Sequence, residues 1–130
     1  MSKKRIQTIL EEHVTDLDGL NVAFVGNRDD GMAIASVNPG GIDVAALAAY
    51  ATELIRANMR LAKILGRGSA TSYIVSSTTT DKLLLQVVPD TNTYIAILTD
   101  QEIGYRDSLP RLKAVLAEGK EVLPKLRESS

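Results

Sequence analysis

Residues 44–65 read VAALAAYATELIRANMRLAKIL, and this stretch decides the architecture of the chain. It contains no glycine or proline, and alanine and leucine, which favour helices, dominate it. Asp43 can cap its start by accepting a backbone N–H, and Gly66 can end it in a left-handed conformation. The stretch therefore predicts one long helix, the longest of the chain.

The first half of this predicted helix, residues 44–51, is apolar around its whole circumference. A helix of that kind is buried on more than one side. One side can pack on the sheet of its own protomer, and the other side needs a second cover. A loop of the same chain could supply that cover. We favour the same helix of a second subunit, because small alanine side chains let two helices approach closely.

In some of the segments before and after the long helix, apolar residues recur at helical spacing. The other segments are short runs that contain Val, Ile and Tyr and are typical of strands. Pro110 suits the first turn of the last helix better than its interior. The predicted elements, in order, are a helix over 3–14, strands over 20–26 and 32–37, the long helix, strands over 71–77, 82–88 and 94–99, and a helix from about 108 to 126.

The predicted sheet needs a cover on both faces, because the strands 83–88 and 94–98 are apolar on both sides. A five-stranded sheet is about 24 Å wide at ~4.8 Å per strand, whereas one helix covers only about 10 Å. Two helices can cover one face, but the third helix cannot cover the other face alone. A twofold homodimer supplies the missing cover. The strand 71–77 is a candidate edge, and pairing with its own copy would close that edge.

Composition excludes several classes of function. The chain has no cysteine and one histidine, which excludes a cysteine-ligated or histidine-rich metal site. A formal net charge of -1 argues against a sequence-independent nucleic-acid binder. The longest apolar run is too short for a membrane span, and no signal peptide is visible. We therefore expect one cytoplasmic domain over residues 1–130, with a tail from about 120 to 130 that is either a partner contact or frayed.

No group of residues indicates catalysis or a cofactor. His13 lies on the apolar face of the first predicted helix, where a lone histidine is more often a satisfied core residue than a base or a ligand. Residues 16–19 resemble a calcium loop, but the glycine comes too early and no glutamate closes the loop. Residues 66–69 follow a helix and lack the lysine of a phosphate loop. We therefore predict no catalytic, cofactor-binding or metal-binding residues.

A set of local patterns runs in a fixed order along nearly the whole chain. They are residues 19–25 (GLNVAFV) with 30–35 (DGMAIA), residues 61–66 (LAKILG), residues 83–88 (LLLQVV) and residues 94–98 (YIAIL). In this order they resemble the roadblock/dynein light chain family and, within it, the MglB-like prokaryotic regulators of Ras-like GTPases. That family has no catalytic signature, so the order of the patterns carries the resemblance.

The resemblance implies a roadblock fold of the α/β (α+β) class, related to the profilin and longin folds. A five-stranded antiparallel sheet in the order 2-1-5-4-3 would lie between one long helix and two shorter helices. The third strand would pair across a homodimer, and the two long helices would lie side by side on one face. The expected dimer contacts are Leu47, Ala48, Tyr50, Ala51, Leu54, Thr71, Tyr73 and Val75.

The second half of the long helix carries a polar stripe at spacings of three and four residues. The resemblance implies that this stripe contacts a GTPase. An equally open interpretation is a helix face exposed to solvent, on which Glu53 forms ion pairs with the neighbouring arginines. We do not expect an arginine finger, because such a residue usually sits on a loop. The expected GTPase-binding residues are Glu53, Arg56, Ala57, Arg60 and Lys63.

The leading functional hypothesis is a non-enzymatic homodimeric scaffold that binds and regulates a small Ras-like GTPase, with GTPase activation as one form of that regulation. The alternative is an adaptor subunit of a larger complex that ignores the nucleotide state. A small-molecule sensor ranks third, because the central strands show little buried polar character that could orient a ligand. An enzyme ranks last, because no nucleophile–base pair is visible.

Overall fold

The computed structural model describes residues 5–68 and 73–123, and for Tyr105 the backbone alone. The helices are α1 (Ile6–Val14), α2 (Val44–Leu65) and α3 (Tyr105–Gly119). The strands are β1 (Leu20–Asn27), β2 (Ala33–Val37), β3 (Tyr73–Ser77), β4 (Asp81–Val87) and β5 (Thr93–Asp100). Within these residues, no helix combines the length and the hydropathy that crossing a membrane would require.

The five strands form one antiparallel sheet in the order β2-β1-β5-β4-β3, which confirms the expected order. The central strands β1 and β5 pair along most of their length, from Leu20 opposite Thr99 to Asn27 opposite Thr93. The edge strands are β2 and β3, and each pairs with one strand of the described part of the chain. The outer edge of β3 therefore presents backbone donors and acceptors that another strand could use.

The sheet separates two apolar cores. The helices α1 and α3 share one face, where Leu10, Ile97 and Leu112 are fully buried. Of the three described helices, α2 alone packs on the other face, where Phe24 and Ala48 are fully buried. This division of the helices agrees with the expectation that two of them can cover one face and leave the third to the other.

Both ends of α2 are capped as the sequence predicts. Asp43 Oδ1 accepts a hydrogen bond from the backbone N–H of Ala46 at 3.1 Å. Gly66 has a φ of 65°, and its N–H donates to the carbonyl oxygens of Ala62 and Lys63. Because capping depends on residues close in sequence, both bounds of this helix agree with the prediction.

The last helix differs from its prediction. It begins at Tyr105, before the expected start near residue 108, and Pro110 lies inside it. The expectation that Pro110 belongs to the first turn is wrong, because Gly104 begins the helix and its carbonyl oxygen accepts from the N–H of Asp107 at 3.1 Å. The helix ends at Gly119, and the predicted helical residues 124–126 lie outside the described residues.

Candidate functional site

Two parallel stripes run along the side of α2 that is turned away from the centre of the sheet, and each repeats at alternating spacings of three and four residues. An alternation of three and four is the spacing with which one helix packs along another. The apolar stripe consists of Leu47, Tyr50, Leu54, Ala57, Leu61 and Ile64, and the polar stripe consists of Glu53, Arg56, Arg60 and Lys63.

The apolar stripe becomes more exposed towards the end of the helix. Leu47 and Leu54 are half-buried because they also pack against the core beneath α2. Leu61 is 51% exposed and Ile64 is 80% exposed, although both are large aliphatic residues. Exposed apolar side chains that form a contiguous patch mark an interaction surface.

The apolar stripe lies next to the open edge of the sheet. Tyr50 is exposed, and a hydrogen bond of 2.9 Å joins its hydroxyl to Oγ of Ser76 in β3. Ile74 of the same strand packs against the core beneath α2. The apolar stripe and the outer edge of β3 therefore form one continuous surface.

Ala48 and Ala51 need a correction, because neither is accessible to a second subunit. Both are fully buried within the protomer, where they pack against the sheet through the core beneath α2. Their side chains point away from the exposed stripes. The sequence could not show this, because a helix that is apolar all round carries no periodic signal of which alanines face the sheet.

The expected contacts on β3 lie on the other face of the sheet. Val75 packs against the core on the side of α1 and α3. Together with Tyr73, Leu84 and Leu109 it lines a hollow of about 260 Å³. The surface of α2 meets β3 at its outer edge and at the side chain of Ser76. Thr71 lies outside the described residues.

The polar stripe is exposed along its length. Glu53 Oε1 pairs with Nη1 of Arg56 at 2.8 Å, one helical turn apart. Arg56 Nη2 donates to the carbonyl oxygen of Arg28 at 3.3 Å, which links α2 to the turn between β1 and β2. Arg60 and Lys63 continue the stripe towards the end of the helix, so its exposed charge is mostly positive there.

A buried hydroxyl pair ties the middle of α2 to β5. Tyr94 donates to the carbonyl oxygen of Ala48 at 3.0 Å, and Thr52 Oγ1 donates to the same carbonyl at 2.9 Å. Burial raises the pKa of Tyr94 above its ordinary value of 10.0, although the neighbouring Thr52 hydroxyl lowers it in part. The Tyr94 ring packs edge-on against Phe24 with centroids 5.8 Å apart. These contacts hold the exposed stripes in a defined position over the sheet.

His13 is not the core residue that its spacing predicts. Its side chain is 25% exposed, and Nε2 lies 2.9 Å from Oε1 of Glu118, so it joins α1 to α3 at the surface. Glu12, His13 and Glu118 also offer three possible metal-ligand atoms within 4.8 Å of one another. His13 already pairs with Glu118, and exposed acidic groups such as these are common in proteins without an ion.

A second polar contact joins the same two helices. Arg111 Nη1 donates to Oδ1 of Asp16 and, at 3.0 Å, to the carbonyl oxygen of His13. The hydrogen bond from Arg111 and then its positive charge hold the pKa of Asp16 below its ordinary value of 3.8. These contacts lie on the face of the sheet opposite the stripes of α2.

Sequence reasoning missed Arg28. It lies in the turn between β1 and β2, and that turn packs beside α2, where Arg28 and Arg56 line the same cleft. No periodic pattern marks Arg28, because it belongs to a turn and the residues it faces are distant in sequence. Only the packing of the hairpin against the helix brings it to the candidate site.

The order of the elements, the order of the strands and the division of the helices between the two faces define a roadblock fold. Solved structures share it. MglB of Myxococcus xanthus is 19% identical, with a TM-score of 0.77 over 90% of this chain and 93% of that one. A roadblock domain from Streptomyces avermitilis is 14% identical, with a TM-score of 0.79 over 93% and 98%.

A third similar structure is the gliding protein MglB of Thermus thermophilus, 17% identical with a TM-score of 0.76 over 91% of this chain and 87% of that one. At identities this low the similarity of the structures shows the fold. The predicted resemblance to roadblock and MglB proteins is therefore confirmed for the fold. No protein-family model matches the sequence, and no curated protein matches it.

Proposed function

We propose that this chain is a non-enzymatic homodimeric scaffold that binds a small Ras-like GTPase and regulates it in the cytoplasm. The observation that carries the proposal is the pair of stripes on α2, one apolar and beside the open edge of β3, the other charged. An apolar surface is typical of a permanent interface, whereas a charged and exposed stripe is typical of a transient one.

A second copy of the chain is the partner that fits the apolar stripe. Two α2 helices packed side by side would bury Leu61 and Ile64, and Ala57 between them would allow a close approach. The two β3 edges would pair at the same time and join the two sheets. A twofold axis satisfies both contacts with one self-complementary patch.

The charged stripe would remain available in such a dimer. Arg60 and Lys63 lie next to the apolar stripe and point away from the sheet, so each dimer would present two positive stripes beside the central seam. The likeness to MglB structures and the resemblance to the MglB-like regulators support a Ras-like GTPase as the partner of this face.

A nucleotide-independent adaptor is the second candidate. The ion pair between Glu53 and Arg56 is the kind of contact that a solvated helix face makes with itself. In that case the dimer would join a larger assembly through contacts that do not sense whether GTP or GDP is bound to any partner.

Capture of partners under two nucleotide conditions tests the proposal. The immobilised protein is incubated with a lysate of its source organism containing either GDP or a non-hydrolysable GTP analogue, and the retained proteins are identified by mass spectrometry. We expect a small GTPase to be retained mainly with the GTP analogue. Retention of the same partners under both conditions, with no GTPase among them, would overturn the regulator and leave the adaptor.

A further inference from the structure

A cleft of about 360 Å³ separates the polar side of α2 from the turn between β1 and β2. Its floor includes the buried Ile55, and Met59 at its side is 49% exposed. Its charged lining consists of Arg28, Asp29 and Arg56. The cleft therefore combines an apolar floor with two guanidinium groups and a single carboxylate.

Arg28 is held at the cleft with donor capacity left over. Its backbone N–H donates to the carbonyl oxygen of Asn92 at 2.7 Å, and its Nη2 donates to the carbonyl oxygen of Thr91 at 3.1 Å. Its Nε is buried and has no acceptor among the described residues. A buried donor without an acceptor is costly, so a small shift of the Arg28 side chain that gave Nε an incoming acceptor would be favoured.

The other charged groups of the cleft already have hydrogen-bond partners in the protein. Arg56 pairs with Glu53 through Nη1 and donates to the carbonyl oxygen of Arg28 through Nη2. Asp29 Oδ2 accepts from Nδ2 of Asn92 at 2.7 Å. The two arginines are thus positioned before any ligand arrives, and Asp29 limits the net positive charge of the lining.

We propose that this cleft binds the side-chain carboxylate of a glutamate on the partner GTPase. A guanidinium donates two parallel hydrogen bonds to a carboxylate, a geometry that an ammonium group cannot reproduce. The apolar side chains of Ile55 and Met59 suit the methylene groups of glutamate. Asp29 in the same lining disfavours a doubly charged phosphate. The partner named here rests on the proposed function, but the preference of the cleft for a carboxylate does not.

The first test needs no GTPase. The Nε–Hε resonances of the ¹⁵N-labelled protein are followed by NMR while N-acetyl-glutamate amide is added, and Arg28→Gln and Arg56→Gln identify the two signals. We expect saturable shifts at Arg28 and Arg56, and no saturable shift with the neutral N-acetyl-glutamine amide or at Arg60. Three results would overturn the carboxylate site. They are equal shifts with the glutamate and glutamine compounds, equal shifts with inorganic phosphate and the carboxylate, or a saturable shift at Arg60.

The second test uses the purified GTPase that the capture experiment retains. We expect Arg28→Gln to weaken its binding about tenfold and Arg28→Lys to restore only part of the affinity, as for the loss of a forked, charge-assisted contact. Lys113→Gln, on the opposite face, serves as the matched control. Because Arg56 is exposed, Arg56→Gln gives a second variant that keeps the fold if Arg28→Gln does not.

The outcomes separate the two proposals. If wild-type protein binds a GTPase and Arg28→Gln and Arg56→Gln bind it equally well, the cleft is not the docking site, although the proposed function stands. If no GTPase binds, the proposed function fails and the partner assignment fails with it. The NMR titration then still decides whether the cleft recognises a carboxylate.

Discussion

Gly26 and Tyr94 show how one position in β1 sets the placement of α2. The ring of Tyr94 lies directly over Gly26, and a Cβ added there would lie 2.3 Å from Cζ and 2.4 Å from the hydroxyl oxygen of Tyr94. That hydroxyl could not reach the carbonyl oxygen of Ala48 if residue 26 carried a side chain. The pair is distant in sequence, and no local pattern reveals it.

Gly26→Ala should destabilise the protein by about 1–3 kcal/mol, the usual cost of overpacking a core. Tyr94 is fully buried and hydrogen-bonded, so it cannot swing away from the new methyl group. Urea unfolding measures the change. Gly104→Ala is the matched control, because a Cβ there meets only a backbone nitrogen at 4.0 Å. Equal stability of the two variants would contradict the described packing.

Tyr94→Phe should cost about 0.5–1.5 kcal/mol of unfolding free energy at neutral pH, because it removes the hydroxyl that donates to Ala48. The pKa of Tyr94 in the folded protein is raised above 10.0. The contribution of the neutral Tyr94 phenol to the free energy of unfolding is therefore complete below pH 10. It falls above pH 10, because Tyr94 ionises in the unfolded chain before it ionises in the folded protein. The stability difference between wild type and variant should shrink above about pH 10. A difference that stays constant up to pH 11 would show that burial does not perturb this phenol.

The helix α2 is the element whose bounds the sequence predicts best. Its caps, Asp43 and Gly66, act on neighbouring backbone groups, so its bounds can be derived from local residues alone. The apolar first half does not reveal which of its sides faces the sheet, and the prediction that Ala48 and Ala51 contact a second subunit is wrong because both are buried against the sheet. The polar second half carries a periodic signal, and the residues of its polar stripe are exposed, as both interpretations of the stripe require.

Asp43→Ala should lower the free energy of unfolding by about 1 kcal/mol, because the N–H of Ala46 loses its acceptor. Asp43→Asn keeps a side-chain oxygen in the same place and is expected to retain most of the stability. Chemical denaturation of both variants gives the comparison. The cap would have no role if alanine and asparagine were equivalent at this position.

At the scale of the whole molecule, the order of the strands and the layers can be predicted from the element order and the resemblance. The surfaces that form where two elements pack together cannot be predicted in this way. The cleft at Arg28 exists only because a hairpin packs beside a helix. The separation of Val75 from the α2 surface follows from the register of β3 on β4, in which Val75 pairs with Leu84. Such relations depend on tertiary packing, which the one-dimensional pattern does not contain.

Leu61→Lys combined with Ile64→Lys should convert the proposed dimer into a folded monomer, because each protomer would bring two positive charges into the seam between the α2 helices. Both residues are exposed in the protomer, so its own fold should survive. Ala45→Lys combined with Ala49→Lys is the matched control, with the same added charge on the other side of the exposed helix surface. Light scattering after size-exclusion chromatography gives the molar mass. A wild-type mass of one chain, or an unchanged dimer in the double variant, would contradict the helix-mediated dimer.

The proposed function requires that the polar stripe of the proposed dimer recognises a GTPase in one nucleotide state. Titration of the purified GTPase, loaded with GDP or a GTP analogue, into the wild-type protein and into Arg60→Glu with Lys63→Glu tests it most directly. Arg106→Glu with Lys113→Glu places the same charge reversal on α3, on the opposite face. We predict tighter binding with the GTP analogue, a loss of that binding in the α2 variant, and no loss in the α3 variant. Equal binding in both nucleotide states, or binding that survives reversal of the α2 stripe, would contradict the account.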